Sequence, residues 1–144
     1  TGLGIANIND ATGGQANNIL VGNGGNVLTG GAGRNLLIAG ASASTLVGGN
    51  DMDILIGGTT DYDTSFASLR GILDSWLTVG SDVDSYNAGV DALTADGGLL
   101  SPAAVHGNGA GNTLTGGPGL DLFFGSSTLD THDWDMLQER FIEI

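Results

Sequence analysis

The chain has 144 residues, of which 27 are glycine and none is cysteine or lysine, and its 16 acids face three arginines for a formal net charge of −13. That length suits a single domain over 1–144. The missing cysteines exclude disulfides, while the acidic balance opposes nucleic-acid phosphates and anionic lipid and suits a hard divalent cation. No apolar run reaches membrane-spanning length, so no membrane insertion is expected. A chain that opens Thr1-Gly2 without Met, with no leader-like segment visible, reads as a piece of a larger parent protein.

A nine-residue period occupies residues 12–56. Its units begin at Thr12, Val21, Gly30, Ala39 (a degenerate copy) and Gly48, the last reading Gly48-Gly49-Asn50-Asp51-Met52-Asp53-Ile54-Leu55-Ile56. The pattern is G-G-x-G-x-D-x-U-x, the signature of a parallel β-helix that binds Ca²⁺. Glycines at positions one, two and four permit a tight turn. Position six supplies an oxygen ligand or a turn-stabilising side chain, and position eight is a large apolar residue on a three-residue strand.

Alternate residues of a strand face opposite ways, so Ile19, Leu28, Leu37, Leu46, Leu55, Leu114 and Phe123 are expected inside. One unit cannot bury its apolar residue alone. The units must stack two per turn, which predicts a mainly β fold: a right-handed parallel β-roll, or β-solenoid, of nonapeptide repeats. Units 18 residues apart then share a face. One face shows Leu20, Leu36, Ile38, Ile54 and Ile56 outward, too apolar to meet water, and the other shows Val27, Thr29, Thr45 and Val47.

Residues 57–106 break the period and read as a two-helix insertion. Phe66, Leu69, Leu73, Trp76 and Leu77 fall at helical spacing after an Asp63 or Thr64 cap. Val83, Tyr86, Val90 and Leu93 form a second stripe after a Ser81 cap, ended by Asp96-Gly97-Gly98. The two helices are expected to fold over the apolar face. The repeat resumes over 107–130, with Thr113-Leu114-Thr115 and Gly116-Gly117-Pro118-Gly119-Leu120-Asp121-Leu122-Phe123-Phe124. Residues 131–144 are expected to cap the stack, with Phe141, Ile142 and Ile144 as a last strand or plug.

These repeats resemble the hemolysin-type (RTX) calcium-binding repeats. The stretch from Asp53 to Asp63, the helix ending Ile72-Leu73-Asp74-Ser75-Trp76 and the resumed repeat from Thr113 to Phe124 are similar to the C-terminal repeat module of very large exported bacterial proteins. The resemblance implies a secreted or cell-surface location, Ca²⁺-assisted folding outside the cell, no catalysis by the module, and ions held between neighbouring turns by the position-six Asp and turn carbonyls. This chain departs from the pattern, because position six reads Asn17, Asn26, Asn35, Ser44, Asp53, Tyr62, Asn112 and Asp121. Most turns therefore lack the carboxylate, and stacked asparagines such as Asn17 over Asn35 suit a hydrogen-bonded ladder instead.

Asp53 and Asp121 become neighbours once the insertion is skipped. They are expected to hold one Ca²⁺ with the carbonyls of Gly48, Asn50, Gly116 and Pro118, assisted by Asp51. No catalytic residue is expected: His106 and His132 are the only neutral-pH bases, and no nucleophile and orienter accompany them. The expected function is a non-catalytic calcium-binding module of a larger protein. A carbohydrate-binding or adhesive module acting on polysaccharide, and a structural subunit that associates with copies of itself into fibres, are the alternatives.

Overall fold

The structure, a computed structural model, describes residues 4–8, as backbone, and 10–144; residues 1–3 and 9, with the Thr1-Gly2 opening, lie outside the described residues. The protein is mainly β, with parallel sheets and two helices. One sheet has six strands in the order β1 (Gly4–Ile8), β3 (Ile19–Gly22), β5 (Leu36–Ile38), β7 (Ile54–Ile56), β11 (Leu122–Gly125) and β13 (Arg140–Glu143). The second has five, in the order β12 (Thr131–His132), β10 (Thr113–Thr115), β6 (Thr45–Gly49), β4 (Val27–Gly31) and β2 (Ala11–Thr12). A short antiparallel pair, β8 (Gly58–Thr60) with β9 (Val105–Gly107), closes the base of the insertion.

Consecutive repeat strands alternate between the two sheets, so in-register partners come from every second unit. Leu36, Ile54, Leu122 and Arg140 lie side by side, and so do Val27, Thr45, Thr113 and Thr131. The insertion is passed over without loss of register, since Leu55 pairs with Phe123 and Leu46 with Leu114. Strand pairing also continues past residue 130: β12 pairs with β10 and β13 with β11, so 131–144 supply two further strands as well as the loop between them.

Two apolar cores result. Between the sheets lie Leu20, Leu28, Leu37, Ala39, Leu46, Leu55, Leu114 and Phe123. Here the first unit departs from the nine-residue frame. Leu20, not Ile19, pairs with Leu37 and points inward, while Ile19 pairs with Leu36 and points out. The step from Asn18 to Asn35 is 17 residues whereas that from Asn35 to Asp53 is 18, and a one-residue slip exchanges the faces of a strand. Position six of that unit is accordingly Asn18 rather than Asn17.

The second core lies on the outer face of the six-stranded sheet. Ile19, Val21, Leu36, Ile38, Ile54, Ile56, Leu122 and Phe124 meet Leu69, Ile72, Leu73 and Trp76 of α1 (Phe66–Leu77) and Tyr86, Val90 and Leu93 of α2 (Val83–Thr94). The helices cover the face whose apolarity demands a cover. Their caps lie slightly beyond the expected positions. Ser65 rather than Asp63 or Thr64 caps α1, and Asp63 instead accepts from the Thr60 N–H at 3.0 Å. Asp82 rather than Ser81 caps α2, accepting from the Ser85 N–H at 2.9 Å with a charge that suits the helix N-terminus. Phe66, placed on the stripe by spacing, is more than half exposed, and the buried stripe of α1 begins at Leu69.

Polar clips fix this cover at one edge of the sheet. Trp76 Nε1 donates to the Met52 carbonyl at 2.8 Å, and Tyr86 Oη donates to the Asp121 carbonyl at 2.6 Å while accepting from the Arg140 N–H at 2.7 Å. Arg34 donates from Nη1 to the carbonyls of Trp76 (2.9 Å) and Val79 (2.6 Å), and so caps the C-terminal end of α1.

Candidate metal centre

The position-six side chains stand in two columns, one leading into each sheet. In the column before the six-stranded sheet, each backbone N–H donates to the side-chain oxygen of the next member. Asn18 N reaches Asn35 Oδ1 (3.0 Å), Asn35 N reaches Asp53 Oδ1 (2.7 Å), Asp53 N reaches Asp121 Oδ1 (2.7 Å) and Asp121 N reaches Glu139 Oε1 (3.1 Å). The asparagine amides add a second bond, from Asn18 Nδ2 to Asn35 Oδ1 and from Asn35 Nδ2 to Asp53 Oδ1, both 2.9 Å. The other column runs Asn26, Ser44, Asn112, Asp130 in the same manner. Stacked asparagines thus form the expected ladder, with Asn18 in place of Asn17.

The two columns differ in how their carboxylates are satisfied. Asp130 Oδ1 accepts from Asn112 and its Oδ2 accepts from the Ser126 N–H at 2.7 Å, so both oxygens are engaged. Asp53 and Asp121 are fully buried, and the Oδ2 atom of each has no hydrogen-bond partner.

The glycine five residues upstream shows where those atoms lie. A Cβ added to Gly13 would sit 2.5 Å from Asn18 Nδ2 and one added to Gly30 would sit 2.6 Å from Asn35 Nδ2, while at Gly48 and Gly116 it would collide with Asp53 Oδ2 and Asp121 Oδ2. Each carboxylate oxygen therefore occupies the slot that an amide nitrogen fills in the earlier units. That nitrogen donates to main-chain carbonyls, Asn35 Nδ2 to Gly33 O at 2.8 Å and Asn18 Nδ2 to Gly30 O at 3.1 Å. An oxygen in the same slot faces acceptors and has nothing to give them. A proton, a cation or a donor hydrogen from a buried water relieves that conflict.

Electrostatics point the same way. Burial pushes the Asp53 carboxyl up to about 7, against its hydrogen bonds from Asn35 and with a further rise from Asp51. Burial pushes Asp121 up to about 8, with Asp53, Glu139 and Asp133 adding to the rise. Glu139 is raised as well, chiefly by burial.

The remaining expected ligands fall around this pair unevenly. Gly48 and Gly116 lie directly against the two Oδ2 atoms, and the Gly116 carbonyl also accepts from Gly49 N at 3.0 Å. Asn50 and Pro118 sit in exposed turns. Asp51 stands at φ 76, and its Oδ1 accepts from Met52 N (2.9 Å) and meets Arg34 Nε (3.4 Å), which draws it toward the arginine. Among the described residues no three His, Cys, Asp or Glu side chains converge as a metal cluster. Glu139 and Asp130, which the glycine pattern does not mark, complete the columns, and each lies 18 residues beyond the member it follows. The spacing was the available signal. Of the two histidines, His106 is exposed and pairs with Asp61 Oδ1 at 2.8 Å, and His132 packs on Phe141 at a ring separation of 4.7 Å.

Fold and site define a mainly β protein whose parallel strands carry a buried acidic pair at one edge. No family model matches the chain, and neither the curated proteins nor the solved structures yield a match.

Proposed function

We propose that the chain is a non-catalytic, calcium-assisted β-roll module of nonapeptide repeats, with its helical pair as a lid on one face, serving a larger secreted or cell-surface protein. One observation carries the reading: the unpartnered, fully buried Oδ2 atoms of Asp53 and Asp121 on adjacent strands. Asp53 and Asp121, with the carbonyls of Gly48, Asn50, Gly116 and Pro118, would hold the ion. Calcium supplies the positive charge that lets both acids stay ionised when buried, and binding to the folded form alone stabilises that form. The asparagine-bearing turns keep their amide ladder and need no ion.

The test is thermal unfolding at pH 8, with calcium and with chelator, of the wild type and of Asp53→Asn/Asp121→Asn. Calcium is expected to raise the wild-type melting temperature and to leave the double variant unmoved. A wild type that melts identically in chelator at pH 8 overturns the proposal.

A further inference from the structure

The five-stranded sheet has an outer face that the helices do not cover. On it, in-register residues form two ranks: Val27, Thr45, Thr113 and Thr131 across β4, β6, β10 and β12, and Thr12, Thr29, Val47 and Thr115 across β2, β4, β6 and β10. All eight positions are threonine or valine, side chains of nearly one shape, and all eight are exposed or half-exposed while their strand neighbours Leu28, Leu46 and Leu114 are buried. Among the described residues, none of the six threonine hydroxyls bonds to another protein group.

In a chain of charge −13 this array carries no charge. The acids at its ends turn back onto the backbone: Asp10 accepts from Val27 N at 2.7 Å, and Asp133 accepts from Gly116 N at 2.7 Å and Gly117 N at 3.2 Å. The turns beside the first rank are Gly25, Ala43 and Gly111, too small to screen it.

We infer that this threonine–valine face binds an ordered water lattice, the surface of ice. Strands stand about 4.7–4.9 Å apart and alternate residues along a strand about 6.5 Å apart, so the array is a two-dimensional net of methyls and hydroxyls close to the oxygen repeats of an ice prism face. β-Branched side chains are stiff about χ1, so the net is already ordered before contact. The methyls hold water at the surface without bonding it, while each hydroxyl offers one donor and two acceptors to it. An insoluble polysaccharide is the other regular hydroxyl lattice, but this face has no aromatic ring to stack on a sugar and no charged or amide side chain to grip its hydroxyls. The inference goes beyond the calcium reading and uses only the strand register.

The experiment is ice-affinity partitioning of the full chain in neutral, calcium-containing buffer, alongside Thr45→Lys/Thr113→Lys and a control, Asp84→Lys, on the exposed side of α2. The wild type and the control are expected in the ice, and the double variant in the liquid at the level of a non-binding protein, with far-UV circular dichroism unchanged. Should the double variant fail to fold, Thr113→Ser, which keeps the hydroxyl and loses one methyl, serves in its place and is expected to partition less. Exclusion of the wild type from ice, or incorporation that survives substitution, overturns the inference. So does variant-sensitive retention on crystalline cellulose without ice uptake.

Discussion

At Asp53 the exchange of an amide nitrogen for an oxygen changes the chemistry of a slot without changing its shape. Asn35 fills its slot with a donor that reaches Gly33 O; Asp53 fills the next with an acceptor that reaches nothing. Asp53→Asn should therefore supply the missing donor and stabilise the calcium-free protein by roughly 1–3 kcal/mol, the cost of an unsatisfied buried polar group. Urea unfolding in chelator at pH 8 reads the difference, and a loss of stability there would show that the slot is not amide-shaped.

The pH dependence has a definite sign. Burial raises the folded-state values of Asp53 and Asp121 from 3.8 to about 7 and about 8, so the folded chain holds more protons than the unfolded chain between those limits. Without calcium, the contribution of these groups to stability is fully present below about pH 4 and is lost as pH rises through about 8. Because ligands must be deprotonated, the calcium-induced rise in melting temperature should shrink as pH falls toward 5. Melting curves across pH 5–8.5, with calcium and with chelator, check both trends, and a calcium effect that grows on acidification would contradict them.

Among the elements, α1 and α2 act as a fitted cover, because each presents one apolar stripe to a sheet face that is apolar on both sides. Trp76 joins the two descriptions. Its ring is fully buried against Tyr86 at a centroid separation of 6.0 Å, and its Nε1 is satisfied by Met52 O beside the acidic column. Trp76→Ala should cost about 3–5 kcal/mol through the cavity and the lost contacts, and should expose the sheet face to a hydrophobic dye before global unfolding. Chemical denaturation with dye fluorescence measures both. The clips on Asp121 O and Met52 O also tie the cover to the acidic column, so the same substitution is expected to weaken calcium binding measured by calorimetry.

Taken whole, the molecule is a row of strands in which each touches chiefly its neighbours within a sheet, so stability should grade along the row. Interior strands β5 and β7, paired on both sides and capped by helices, should exchange amide hydrogens most slowly. The edge strands β1, β2, β12 and β13 should exchange fastest. Hydrogen exchange read by NMR tests the gradient, and uniform protection from edge to edge would contradict it.

The two strand faces, the helical insertion and the asparagine columns were legible in the sequence, because a period of nine with alternating side chains leaves few ways to bury Leu28, Leu37, Leu46, Leu55, Leu114 and Phe123. Where the period slips by one residue, at Asn18 and Leu20, counting failed, since only pairing to Asn35 and Leu37 decides which residue faces in. Glu139 escaped notice because its turn carries none of the repeat glycines. Its place below Asp121 follows from strand register, a property of distant segments held together. The sequence by itself determined the alternation of faces and which residues carry charge. Only the tertiary structure decided that two of fourteen aspartates are sealed from water with one oxygen left unpartnered, because that depends on what packs against them and not on their own identity.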